Sequence, residues 1–236
     1  MKTYIINVST NESRRNHMLN QIKNNSCIKN YSFVHEGDLD AITPEMLSCN
    51  FGGELNKISS VVSCAYKHIL AYKALVQSAE NIALILEDDI YLDSNFCKMI
   101  SNIVSEIENR QLVNFLISLE DSNLKYIKNS QLQVGTFLYK RLKGRMAGAY
   151  IIDKQCAQHM LQEIDRNKCN LPIDWFHNYC SENKLIDIYW SHPAIAIQGS
   201  LNGKIGSTID DKKLGKLRIW GFRFTRFYKK FLHKIR

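Results

Sequence analysis

The sequence predicts an α/β domain, built on a mainly parallel, Rossmann-like sheet with flanking helices and followed by a basic amphipathic helix. Three observations predict it. Apolar strands alternate with amphipathic helices over residues 1–120, the pattern of a sheet covered on both faces. The run Ala83-Leu84-Ile85-Leu86-Glu87-Asp88-Asp89-Ile90-Tyr91-Leu92 puts three consecutive carboxylates at the end of a buried strand, and open α/β sheets bind ligands beyond the carboxyl ends of their strands. The 236 residues are 45% hydrophobic with only 3 Pro and 11 Gly, which suffices for one large core and excludes a collagen-like or low-complexity chain.

Residues 3–8 read as a buried first strand, and Asn11 or Ser13 as the cap of a helix over residues 12–24. Tyr31 to His35 forms a second short strand, Glu36-Gly37-Asp38 a turn, and residues 40–57 an irregular stretch broken at Gly52-Gly53. Ser59 or Ser60 caps the clearest helix, residues 61–79, where Val61, Cys64, Ala65, Ile69, Tyr72, Leu75 and Val76 recur at three- and four-residue steps. Strand 82–86 leads into the acidic triplet. A helix over 94–108, strands at 113–119, 134–140 and 147–152, helices at 153–164 and 174–183, and a strand at 186–190 complete the order. We bound the domain at residues 1–211 and the tail at 212–236.

The seven cysteines (Cys27, Cys49, Cys64, Cys97, Cys156, Cys169, Cys180) are scattered with no CxxC pair. That argues against a zinc site and for reduced, buried thiols, as on a cytosolic face. Met1-Lys2 leads straight into the first strand and does not read as a signal peptide. No run reaches the roughly 20 apolar residues that span a bilayer. The net charge of +8 is uneven: ten Lys and Arg follow Asp211 with no acid among them, leaving 21 basic against 23 acidic residues before them. A nearly neutral body argues against a nuclease or other nucleic-acid partner.

Three adjacent carboxylates repel one another unless a positive partner sits among them. Their oxygens suit Mg2+ or Mn2+, and such an ion bridges to a diphosphate. In chain order, Asn7 with Arg14-Arg15, Glu36-Gly37, Cys64-Ala65-Tyr66-Lys67-His68, Leu86-Glu87-Asp88-Asp89, Gly148-Ala149-Tyr150-Ile151-Ile152 and Pro172-Ile173-Asp174 resemble glycosyltransferase family 25, the bacterial lipooligosaccharide galactosyltransferases related to the collagen galactosyltransferases. The resemblance covers residues 3–208 and rests on the order and spacing of these motifs. It implies a GT-A fold, a nucleotide-sugar donor (often UDP-galactose), Mn2+ or Mg2+, and inversion at the anomeric carbon to a β linkage. Two departures stand out: Ser59-Ser60-Val61-Val62-Ser63 replaces an acidic, Gly-rich stretch, and Glu36-Gly37 replaces Asp-Gly.

Sugar transfer requires a neutralised leaving group, a deprotonated acceptor hydroxyl and two aligned sugars. Asp89 is the first candidate metal ligand and Glu87 the second, with His192 a further one; the resemblance implies that Glu87 can instead hold the ribose. Asp88 fits either role, or caps the segment after it. Arg14 can turn its guanidinium fork to the diphosphate, whereas Arg15 reads as exposed helix face. Asn7 can bond uracil or ribose, or serve as turn chemistry. His68 can bond the donor, support the triplet or be a satisfied core residue, and Tyr66 and Lys67 read as helix surface. Asp174 leads as the base opposite the leaving group, against the alternative of an N-cap, and Trp175-Phe176-His177 can stack on a sugar. Glu120 and Asp121 are the alternative base or acceptor-site residues. Gln198, with Ser200 and Asn202, forms a late loop that either closes over the donor, as in related enzymes, or is polar surface.

In the tail, Trp220, Phe224, Phe227, Phe231 and Ile235 recur at helical spacing, with Arg218, Arg223, Arg226, Lys229, Lys230 and Lys234 on the other side. This is the pattern of a helix lying on an anionic membrane surface, where a lipid-linked oligosaccharide acceptor is presented. The expected location is cytoplasmic, peripheral on the inner face of the cytoplasmic membrane. The competing expectations are a GT-A transferase with another donor (UDP-GlcNAc or UDP-glucose) and a non-catalytic carbohydrate- or membrane-binding module.

Overall fold

The computed structural model describes residues 1–199 and, beyond them, Thr225; the tail expectation, and Ser200 and Asn202, lie outside the described residues. In chain order the elements are β1 (Lys2–Ile6), α1 (Glu12–Lys23), β2 (Tyr31–Val34), α2 (Pro44–Asn50), α3 (Ser60–Gln77), β3 (Ile82–Glu87), β4 (Ile90–Leu92), α4 (Phe96–Asn109), β5 (Phe115–Ser118), β6 (Leu138–Arg141), β7 (Ala149–Asp153), α5 (Lys154–Asn167), α6 (Ile173–Glu182), β8 (Asp187–Ser191) and β9 (Ala196–Gln198).

A seven-stranded sheet runs β2-β1-β3-β7-β5-β8-β6, and β4 pairs with β9 in a separate ribbon. β1 is parallel to β2 and β3, and β5 is parallel to β8, while β7 and β6 run against their neighbours. The sheet is therefore mostly parallel, as expected. The two reversals leave no mark in the sequence, because β7 is buried at all five positions just as a parallel core strand is.

Each strand feeds two cores. Tyr4, Ile6, Ile85, Tyr150 and Ile152 pack toward α3, α5 and α6, whereas Ile5, Leu84, Leu86, Ile117 and Ile151 pack toward α4 with Phe96 and Ile103. Alternate residues point to opposite faces, so a continuous apolar run is what a doubly covered strand requires. Each such side chain contributes about 1.5–3 kcal/mol on full burial. Asn11 caps α1 by accepting from the Arg14 N–H at 3.2 Å, and Ser59 caps α3 by accepting from the Val62 N–H at 3.3 Å.

Two expectations need correction here. Residues 40–57 are not wholly irregular: Thr43 caps α2 and Pro44 occupies its first turn, a start signal that the short length of the helix conceals. The thiols are not all reduced: Cys27, after α1, and Cys97, at the start of α4, form a disulfide, because the packing of α1 and α4 brings their Cα atoms to 5.4 Å. The cysteines thus no longer argue for a reducing compartment. Among the described residues, no helix is long and apolar enough to cross a membrane.

Candidate active site

The parallel register of β1 and β3 sets Ile6 beside Glu87, so Asn7 and the acidic triplet leave the sheet side by side at their carboxyl ends. The start of β7 closes against them, with the Glu87 N–H donating to the Gly148 carbonyl at 2.7 Å. A side chain at position 148 would put its Cβ 2.7 Å from Gln198 Nε2 and 2.8 Å from Ile90 Cδ1, so only glycine lets β9 approach. Gly37 is needed for a second reason: its φ is +89°, and a Cβ there would meet the Tyr66 ring at 2.6 Å. A cleft of about 850 Å³ opens above these strand ends, walled by Asn7, Arg14, Asp38, Cys64, Lys67, Glu87, Asp88, Asp89, Asp174 and Gln198.

Asp88 is the charge hub of one wall. Arg14 Nη1 donates to its Oδ1 at 2.6 Å, and Asn7 Nδ2 donates to its Oδ2 at 2.8 Å. All three are buried. Arg14 therefore holds the triplet as well as facing the cleft, and Asp88 is not a simple cap. Among the described residues, the buried Oδ1 of Asn7 has no hydrogen-bond partner, which leaves an acceptor unsatisfied beside the cleft. Arg15 pairs with exposed Glu12, at 3.8 Å, as expected of a helix face.

Lys67 corrects its reading as helix surface. It is buried, and its Nζ bonds both the Asn7 carbonyl and the Asp38 carboxylate. Burial raises the Asp38 pKa, but the Lys67 ammonium and the Ser9 amide outweigh burial and hold this carboxyl below its ordinary value. Position 67 lies one helical turn after Ser63, whose hydroxyl donates to the Gly37 carbonyl at 2.7 Å. A polar stripe at four-residue spacing on an otherwise apolar helix was the available signal.

Glu87 faces a different wall. Its Oε1 is 3.5 Å from His68 Nε2 and 3.7 Å from Cys64 Sγ, and its Oε2 accepts from Gln198 Nε2 at 3.0 Å. Burial raises its pKa, and the His68 contact, with help from Gln198 and Cys64, outweighs that and lowers it. His68 is fully buried and supports the triplet from behind. Its Nδ1 meets Tyr150 OH at 2.7 Å, Tyr150 OH meets Tyr72 OH at 2.8 Å, and Tyr72 OH meets His177 Nε2 at 2.7 Å. Burial pushes His177 down to about 3, so it is neutral. Phe176 and His177 therefore belong to the core and not to a sugar platform; of the three aromatics only Trp175, 62% exposed, is available.

Asp174 lines the same cleft as the triplet. Pro172 occupies the N-cap of α6, so Asp174 is inside the first turn and is not the cap. Burial, and then the Glu87 charge, raise its pKa above the ordinary aspartate value, which strengthens it as a base.

Glu120, Asp121 and His192 do not join the cleft wall. Glu120 is fully buried behind it, accepting from the Gly148 N–H at 2.7 Å and the Ala149 N–H at 3.3 Å. Asp121 is buried near the Arg145 guanidinium. His192 follows β8 and stands edge-on to Tyr139 at 6.2 Å. The short β8–β9 link turns Gln198, not His192, toward the triplet.

Burial, and then the nearby Glu87 and Asp89 charges, raise Glu120 to about 8. The folded protein thus keeps a proton that the unfolded chain releases above about pH 4.3, and stability falls as pH rises from there toward about 8. Glu120→Gln, which preserves the acceptor for Gly148, is expected to gain on the parent progressively over that interval. Urea unfolding in EDTA at a series of pH values checks this; a constant difference would contradict it.

With this geometry in hand, comparison decides the family. The family model for glycosyltransferase family 25 (LPS biosynthesis protein) matches residues 1–177. The chain belongs to glycosyltransferase family 25. The match spans the cleft from Asn7 to Asp174. No curated protein matches it. The chain is similar to the glycosyltransferase GlyE of Streptococcus pneumoniae TIGR4, at 10% identity and a TM-score of 0.47, over 99% of this chain and 64% of that one. This chain thus spans less than two thirds of that protein's length.

Proposed function

We propose that this family 25 enzyme transfers a hexose, galactose from UDP-galactose, to a lipooligosaccharide acceptor with inversion to a β linkage. The observation that carries the reading is the convergence on one cleft of Asn7, the Asp88–Arg14 pair and Asp89 at the sheet's carboxyl edge, with Asp174 lining the same cleft. Asn7 Oδ1 offers an acceptor to the uracil or ribose. Asp174 takes the proton from the acceptor hydroxyl as that oxygen bonds to C1 and the C1–O bond to the diphosphate breaks. The phosphates leave with the electron pair, and the charge they carry away is met by the divalent ion, with the guanidinium of Arg14 beside it on the cleft wall.

The donor set fits a hard divalent ion through one carboxylate. Asp89, buried on the cleft wall, is the residue to hold Mn2+ or Mg2+, which commonly needs only one or two carboxylates when substrate phosphates complete its shell. When bound, the ion supplies charge neutralisation at the leaving diphosphate.

Calorimetric titration with UDP, with and without Mn2+, tests the reading. UDP is expected to bind, tighter with Mn2+, and Asp89→Ala to lose the Mn2+ enhancement while remaining folded. No UDP binding by folded protein would end it. A panel of UDP-galactose, UDP-GlcNAc and UDP-glucose, read by slow donor hydrolysis, ranks the sugars, and absence of turnover with all three, acceptor-free and acceptor-loaded, would favour a binding module.

The basic tail supports a peripheral site on an anionic membrane, where each basic residue adds about 1 kcal/mol. Removing residues 212–236 is expected to release the protein from anionic vesicles while turnover of a soluble acceptor persists. Continued sedimentation of the truncated protein with vesicles would refute this.

A further inference from the structure

On one wall of the cleft Cys64 and Glu87 meet the buried His68, and the transfer proposed above uses no thiol or imidazole there. Cys64 and His68 lie one turn apart on α3, so they share a face, and that face meets Glu87 at the end of β3. Their donor atoms all lie within 4.8 Å of one another. His68 Nε2 is 3.5 Å from Glu87 Oε1, and Cys64 Sγ is 3.7 Å from the same oxygen. Among the described residues, the buried Nε2 has no hydrogen-bond partner beyond its 3.5 Å approach to Glu87.

The imidazole separation is long for an N–H···O bond and the thiol separation is ordinary for S–H···O, and both also match two ligands sharing one small cation. Zinc bonds of about 2.0–2.3 Å set tetrahedral ligands about 3.3–3.8 Å apart. The far side of the imidazole is consistent with this. Tyr72 OH reaches the neutral His177, and Tyr150 OH links Tyr72 to His68 Nδ1. When a cation is bound, both hydroxyls donate toward His177, His68 Nδ1–H donates to Tyr150, and Nε2 gives its lone pair to the ion in place of the contact it otherwise makes with Glu87. Metal-binding histidines are commonly held in this way, with the other ring nitrogen fixed by an outer partner.

We propose that Cys64 Sγ, His68 Nε2 and Glu87 Oε1 form a zinc-class metal site that fastens α3 to the end of β3. A thiolate and an imidazole select Zn2+ over Mg2+ or Mn2+, so the site is distinct from the ion assigned to Asp89. Cys64 and Glu87 both line the cleft, which leaves a fourth position open on that side, the ligand count of an open zinc centre. Binding replaces the Cys64 thiol proton, which leaves to solvent. The lack of a CxxC pair does not exclude such a site, because its ligands come as Cys-x-x-x-His on a helix plus a strand-end Glu.

Zn2+ alone, titrated into metal-free full-length protein, is expected to bind at one equivalent. Co2+ in its place is expected to give tetrahedral visible bands and a thiolate charge-transfer band. That band should vanish in Cys64→Ser and persist in Cys49→Ser, which removes an exposed thiol elsewhere. Tyr150→Phe should weaken zinc about 10–100-fold. Circular dichroism and UDP titration on each variant report folding and the donor cleft separately, so loss of zinc with UDP binding intact is read unambiguously. Zinc failing to bind folded parent protein, or Cys64→Ser keeping the parent's zinc affinity and cobalt spectrum, overturns the proposal.

Discussion

Asp174→Asn is expected to lower kcat by about 10²–10⁴-fold, the usual contribution of a positioned base, and to leave UDP affinity unchanged. Asparagine keeps the size and polarity of the side chain but cannot take the acceptor's proton. The pH profile supplies the second readout. The base must be ionised to act, and burial with the Glu87 charge raises the Asp174 pKa. Activity should therefore fall on the acid side at a pH above the ordinary aspartate range, and this limb should disappear in the variant. A variant of normal kcat would transfer the role elsewhere; Glu120, already protonated at neutrality and behind the cleft wall, would be a poor recipient.

Lys67→Met carries the largest expected cost in stability. It preserves the aliphatic stem and deletes the ammonium, so the Asn7 carbonyl loses a donor and Asp38 loses its counter-charge. Breaking a buried pair from one side costs about 3–5 kcal/mol. For a chain of this size that is a fall in Tm of about 6–20 °C, measurable by calorimetry. The sign on pH comes from the lowered Asp38 pKa. In the parent, the stability it provides is present above the ordinary Asp value of about 3.9 and is lost as pH falls through the lower folded value. Without Lys67 burial dominates, so the variant should unfold at a less acidic pH than the parent. An unchanged acid midpoint would show that the pair contributes nothing net.

Much of this architecture was legible because periodicity and burial coincide. The helix of Val61, Ala65, Ile69 and Tyr72 is α3, and the apolar run ending in Glu87-Asp88-Asp89 is β3 with the triplet at its carboxyl end. Less legible was anything decided by partners distant in sequence. Lys67 looks like surface until Asp38 and Asn7 are placed beside it. Phe176 and His177 look like a sugar platform until α6 turns them into the core, where His177 meets Tyr72. β4 and β9, three residues each, are too short for any periodic signal and exist because they find each other. Asp88 was the hardest of the triplet to assign, since its role lies in which cation claims it, and that cation, Arg14, comes 74 residues earlier.

The chain of hydroxyls and imidazoles from His68 to His177 also divides the cleft mechanically. It bolts α6, the helix bearing Asp174, to β7 and α3 through the interior. Sliding α6 as a rigid body would sever a solvent-free contact with nothing to replace it. Any narrowing around a bound sugar must accordingly come from the opposite rim, where Val8, Thr10, Leu39 and Asp40 sit on connecting segments, and the acceptor's side serves as the fixed jaw.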